Sequence, residues 1–120
     1  MRPNVKLAFV AYAVSDMDRA RRFYTDVIGL TPGDSFGERF GEFDLGNATF
    51  AIDADPPGIV PGTCSGISFE VADVVGARAR LAQRGVDITD VMESPVCRFA
   101  FATDPDGNSF QIHQRKPALS

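Results

Sequence analysis

Val14-Ser15-Asp16-Met17-Asp18-Arg19-Ala20-Arg21 returns 57 residues further on as Val71-Ala72-Asp73-Val74-Val75-Gly76-Ala77-Arg78. A second stretch, Gly46-Asn47-Ala48-Thr49-Phe50-Ala51-Ile52, returns as Gly107-Asn108-Ser109-Phe110-Gln111-Ile112, with Phe110 lying 60 residues after Phe50. A repeat at so nearly constant an offset means one supersecondary unit used twice. Each half then indexes the other, and function is expected at the axis between them.

Working outward, Lys6 to Val14 is a short apolar run rich in Val and aromatic residues and reads as a strand. Ser15 or Asp16 starts a helix, Ser15 and Asp18 having capping-box spacing. Met17, Ala20, Tyr24, Val27 and Ile28 follow at helical spacing, and Gly29 ends the helix. Asp34 to Asp53 reads as short strands broken by glycines. The Pro/Gly-rich connector from Asp55 to Gly62 falls where the first copy ends. In the second copy Gly66–Val71 is a strand with Ile67, Phe69 and Val71 on one face and Gly66, Ser68 and Glu70 on the other. A helix capped by Asp73 and closed by Gly85 comes next, then strands near Val86–Val91, Cys97–Thr103 and Ser109–Gln114. Asp104-Pro105-Asp106-Gly107 forms the turn between the last two. The expected unit is therefore a single α+β domain over 1–120, with βαβββ modules at about 5–54 and 64–115.

With 120 residues, 44% hydrophobic and 23% charged, the chain has the composition of one globular domain. Its net charge of −4 argues against nucleic acid as a partner, since phosphate binding needs a basic face. No apolar run reaches membrane-spanning length, and Met1 to Lys6 lacks a signal peptide's apolar region, so a cytoplasmic protein is expected. Cys64 and Cys97 form no CxxC pair and read as free thiols, with a disulfide between them as the lesser alternative. Ten Phe and two Tyr furnish an aromatic interior or an aromatic pocket. The outward-facing Arg19, Arg21 and Arg22 read as a solvated helix face.

Val14-Ser15-Asp16-Met17, Phe23-Tyr24-Thr25-Asp26-Val27-Ile28-Gly29-Leu30 and Asp104-Pro105-Asp106-Gly107-Asn108, in that order and spacing, resemble the vicinal oxygen chelate superfamily. That superfamily groups glyoxalase I, extradiol dioxygenases, fosfomycin resistance enzymes and bleomycin resistance proteins. The resemblance implies curved mixed sheets that enclose a cleft, completed in a homodimer. In its metal-using members four repeat-related positions supply His, Gln or Glu to a divalent ion, and here they are Phe9, Ala51, Gly66 and Gln111. Three of these side chains have no donor atom, so the resemblance is to the branch without metal, and no cofactor is expected. A slip of one alignment step would exchange Ala51 for Asp53 and still leave a poor site.

By this indexing Phe9, Ala11, Ala13, Ala51, Gly66, Ser68, Gln111 and His113 floor a cleft suited to an organic ligand held by burial, stacking and a few hydrogen bonds. Phe36, Phe40 and Phe43 either wall it or belong to the core. Three functions compete: a metal-independent small-molecule binder, a glyoxalase- or dioxygenase-type enzyme with a displaced metal site at Gln111, His113 and an acidic residue, and a ligand-free dimer whose cleft Phe9 plugs. No nucleophile and base pair emerges, because Ser68, Cys64 and Cys97 have no histidine assigned to them.

Overall fold

The computed structural model describes residues 4–117, so Met1 to Pro3 of the N-terminal reading lie outside it. The first half contains β1 (Val10–Ala13), α1 (Met17–Arg22), β2 (Thr31–Phe36), β3 (Phe40–Asp44) and β4 (Thr49–Asp53). The second contains β5 (Ile67–Glu70), α2 (Val74–Gln83), β6 (Met92–Glu93), β7 (Cys97–Thr103) and β8 (Ser109–Arg115). Each half folds as an open four-stranded mixed sheet, in the orders β1-β4-β3-β2 and β5-β8-β7-β6. The parallel pairs β1–β4 and β5–β8 occupy equivalent places. This is an α+β fold of two βαβββ units.

Both helices start at an aspartate. Asp16 accepts from Arg19 N–H (3.0 Å) and Asp73 from Gly76 N–H (3.2 Å), each from extended backbone. Both close on a left-handed glycine, Gly29 (φ 92°) and Gly85 (φ 82°). From cap to glycine the first helix is one residue longer than the second. The surplus is absorbed where α1 runs on as a π-helical stretch, Phe23–Ile28, whose wider turn accommodates the extra residue.

Several expectations need correction. The Ser15–Asp18 capping box does not form, because Asp16 caps the helix and Ser15 bonds the carboxylate of Asp106 through its N–H and hydroxyl. Residues 6–9 precede the first strand rather than open it. Val86–Val91 holds only an isolated bridge, Ile88 to Ala102, and the edge strand comes later, at Met92–Glu93. The arginines divide: Arg19 pairs with Asp106 (3.0 Å), Arg21 donates to Gly37 C=O (2.9 Å), and Arg22 is exposed.

Tyr12, Phe23, Tyr24, Phe43, Phe50, Phe69 and Phe110 form one buried cluster with edge-on and tilted rings, Phe43 and Phe50 being stacked. It draws on both sheets, so the two halves share a core. Tyr12 of β1 does more than pack: its hydroxyl accepts from Ile67 N–H (2.9 Å) and donates to Ser109 C=O (2.7 Å). The hydroxyl thus bridges the start of the β5–β8 ladder, and burial raises its pKa. Tyr12→Phe would leave both main-chain groups without this partner and is expected to cost about 1–3 kcal/mol. A urea titration that gave no loss of stability would contradict this role.

Candidate functional site

Strand alternation sorts the eight Phe residues of the strands. Phe43, Phe50, Phe69 and Phe110 face the helices and are buried, and Phe23, on the π-helical stretch, is buried against Phe110. Phe36, Phe40, Phe99 and Phe101 lie on the other sheet faces, and Phe9, just before β1, meets Phe40 there, with Phe9 45%, Phe36 63% and Phe101 42% exposed. Interior and surface thus share the aromatic content, Phe43 being core and Phe36 and Phe40 not.

In the second sheet the strand register builds two polar rungs, each ending in a phenyl ring. Ser68, Gln111 and Phe101 form one, and Glu70, His113 and Phe99 the next. The Ser68 hydroxyl donates to Gln111 Oε1 (2.6 Å), leaving the amide NH2 of Gln111 to donate elsewhere. Glu70 contacts His113 Nδ1 (2.5 Å) through Oε1 and accepts from Arg115 N–H (2.7 Å) through Oε2. These contacts, Arg115 N–H foremost and His113 next, hold the Glu70 carboxyl below the usual carboxylate range. His113 Nε2 is the nitrogen left for a ligand. Phe99 and Phe101 meet edge-on at 5.8 Å. Gly66, Ser68, Phe101, Ser109 and Gln111 line a recess of about 140 Å³. A flat apolar molecule with polar edge groups is the kind of solute this surface suits, by stacking and by one or two directed hydrogen bonds.

On the first sheet Ala11, Ala51 and Glu42 pair across neighbouring strands. The rings of Phe9 and Phe40 meet edge-on at 5.5 Å on that face. Ala11 is exposed, whereas Ala51 and Ala13 are buried and offer a ligand almost no surface. Of the residues indexed by the repeat, Gly66, Ser68 and Gln111 therefore share one recess and His113 stands on the next rung. Phe9, Ala11 and Ala51 belong to the sister sheet. Among the described residues no three His, Cys, Asp or Glu side chains come together as a metal-binding group. No helix there is long and apolar enough to cross a membrane.

Sequence reasoning missed Phe99 and Phe101. The signal existed: a turn spanning Asp104 to Asn108 sets Thr103 opposite Ser109, and counting back by two places Phe101 beside Gln111 and Phe99 beside His113.

The repeat and the paired sheets agree with a family match covering residues 6–112, described as the Glyoxalase/Bleomycin resistance protein/Dioxygenase superfamily. The chain belongs to this superfamily. Among solved structures it is similar to TnmS3, an antibiotic binding protein from Streptomyces sp. CB03234, with 26% identity, a TM-score of 0.86, and 97% of this chain and 100% of that chain covered. A glyoxalase/bleomycin resistance protein from the same strain shows 26% identity and a TM-score of 0.81, over 91% of this chain and 100% of that one. The lactoylglutathione lyase from Agrobacterium tumefaciens shares the fold at 20% identity and a TM-score of 0.76, over 93% and 95% of the two chains. No curated protein matches the sequence.

The depressed Glu70 carboxyl has a pH consequence. A folded-state pKa below the unfolded one contributes stability above the unfolded value and loses it as pH falls through the folded value. Glu70→Gln is therefore expected to lower the urea midpoint slightly at pH 7, the effect being small because the group is solvent-screened. The difference from the parent should vanish in acid below the normal carboxylate range. A deficit that persisted unchanged there would show that the carboxylate charge is not its source.

Proposed function

We propose that the protein binds a small organic molecule, with no metal ion, on the open sheet faces bearing Phe9, Ala11, Gly66, Ser68, Gln111 and His113, with Ala51 buried beneath the first of these faces. The observation that carries this reading is the pair of polar rungs ending in Phe101 and Phe99, the first of which contains Gln111. Gln111 is the one donor side chain among the four indexed positions, and its Oε1 already accepts the Ser68 hydroxyl. The likeness to an antibiotic binding protein supports a small organic ligand, and the phenyl rings beside amide and imidazole groups favour an aromatic one with polar edges.

The same reading has a second copy of the chain covering these faces, making a homodimer. Its support is the amount of apolar surface left in solvent, with Phe9, Phe36, Met92, Val96 and Phe101 all exposed. We place the protein in the cytoplasm, where free Cys64 and Cys97 would persist as thiols. The competing enzyme with a displaced metal site would draw on Gln111, His113 and Glu70. Both Glu70 oxygens are already engaged, which favours the binder.

Thermal denaturation against a panel of aromatic antibiotics tests the proposal, because a ligand bound only by the native state raises stability. At least one compound should raise Tm by several degrees in EDTA-treated protein, and Phe101→Ala should weaken its binding roughly tenfold, about 1.4 kcal/mol. A stoichiometric divalent ion in protein purified without added metal, lost in His113→Ala, would overturn the metal-free reading. Light scattering giving the mass of one chain at micromolar concentration would overturn the dimer.

A further inference from the structure

The repeat creates two equivalent junctions where one half's helix meets the other half's strand-to-strand turn. At the first, Tyr24 meets Asp104, and the edge of β1 is closed. Ala13 N–H donates to Cys64 Sγ (3.3 Å) and Ala13 C=O accepts from Asn108 Nδ2 (2.8 Å). Only a recess of about 260 Å³ remains outside, bordered by Phe23, Val27, Val86 and Asp104.

At the second junction the same positions carry different chemistry. The 57-residue offset puts Leu81 where Tyr24 stands, Arg80 where Phe23 stands and Glu70 where Ala13 stands. Leu45 to Ala48 replace the turn that holds Asp104 and Asn108. Leucine has no hydroxyl to reach across, and this turn brings no buried carboxylate or carboxamide to meet it. The result is a cavity of about 380 Å³ walled by Ile28, Leu30, Leu45, Val71, Ala77 and Leu81, with Arg80 at its exposed rim.

Two unpartnered sets of polar groups border it. Val71 N–H donates to His113 C=O (2.8 Å), and alternate residues of a parallel strand turn to the same neighbour. Ser68 and Glu70 therefore turn their main-chain groups to the free edge of β5, and both residues line the cavity. Among the described residues neither the N–H nor the C=O of Glu70 has a partner there, whereas both groups of Ala13 do. Arg80 spends Nη1 on Val27 C=O (2.8 Å), and its other N–H groups meet no acceptor among the described residues. The Glu70 carboxylate is tied to His113 and Arg115 on the opposite face, so its charge is held away.

We infer that this cavity is a second small-molecule site, distinct from the open sheet faces, and that it takes an apolar carboxylate. The aliphatic walls receive the hydrocarbon body. Arg80 and the free N–H groups of the β5 edge receive the anionic head, since a guanidinium and main-chain amides together suit a carboxylate.

An NMR titration of the 15N-labelled protein with octanoate and, separately, octan-1-ol decides it. Octanoate should give saturable shifts at Leu45, Asn47, Glu70 and Ala77, with octanol at least tenfold weaker. Arg80→Gln, on an exposed side chain, should weaken octanoate about tenfold without disturbing the rest of the spectrum. Ala77→Leu should abolish the shifts by filling the cavity. The inference falls if octanoate gives no saturable shifts at millimolar concentration, if they map to Phe101, Gln111 and His113, or if Arg80→Gln binds as the parent does. Because those residues lie on the other face, failure here leaves the proposed antibiotic-type site untouched.

Discussion

Asp104 and Asn108 sit at the junction of the two halves almost without solvent, and their hydrogen bonds fix how the halves meet. Asp104 accepts from Tyr24 OH (2.7 Å), from Asn108 Nδ2 (2.9 Å) and from the N–H groups of Asp106 and Asn108 (both 2.9 Å). Asn108 uses its remaining capacity on Ala13 C=O, Gly62 N–H (2.8 Å) and Cys64 N–H (3.0 Å). A buried carboxylate is costly unless its lone pairs are met, and here each oxygen has two donors. Burial, with Asp104 beside it, drives the Tyr24 hydroxyl far above the ordinary tyrosine range, so it remains a donor. The network joins the π-helical stretch that follows α1, β1, the connector and the last turn, and the shared aromatic core packs beside it.

Much of this was legible as pattern and little of it as partnership. The repeat gave the order of elements, the helix-closing glycines and the alternation of β5, because periodicity is a property of the chain itself. Which residues meet across 80 or more positions is set by packing, and no periodicity encodes it. Asp104 and Asp106 therefore read as turn residues, although Asp104 also anchors Tyr24 and Asp106 also holds Ser15 and Arg19. Tyr12 read as an apolar strand residue for the same reason. The short edge strand at Met92–Glu93 was lost because two residues carry no alternation to detect.

The candidate site divides the same way. Ser68, Gln111 and His113 were located by repeat indexing and by period-two alternation, and the register sets them on neighbouring rungs. Phe99 and Phe101 required knowledge of the β7–β8 register. Ala51 shows the limit of face assignment: alternation puts it on the open face, yet it is completely buried. The π-helical turn belongs here too, since the sequence offset falls from 57 at the caps to 56 at the closing glycines without saying where the extra residue is stored.

The two copies of the repeated unit share a topology and diverge in the side chains at their junctions. Here one copy spends its junction on a sealed polar network while the other leaves a cavity, and the open faces carry phenyl rings beside amide, hydroxyl and imidazole groups. The most direct measurement of the central claim is a set of intermolecular NOEs between a bound aromatic antibiotic and EDTA-treated protein. The account predicts contacts from the ligand ring to Phe101 and from its polar edge to the Gln111 side-chain amide. Contacts that disappear with EDTA, or that avoid the rungs of Ser68, Gln111 and His113, would contradict it.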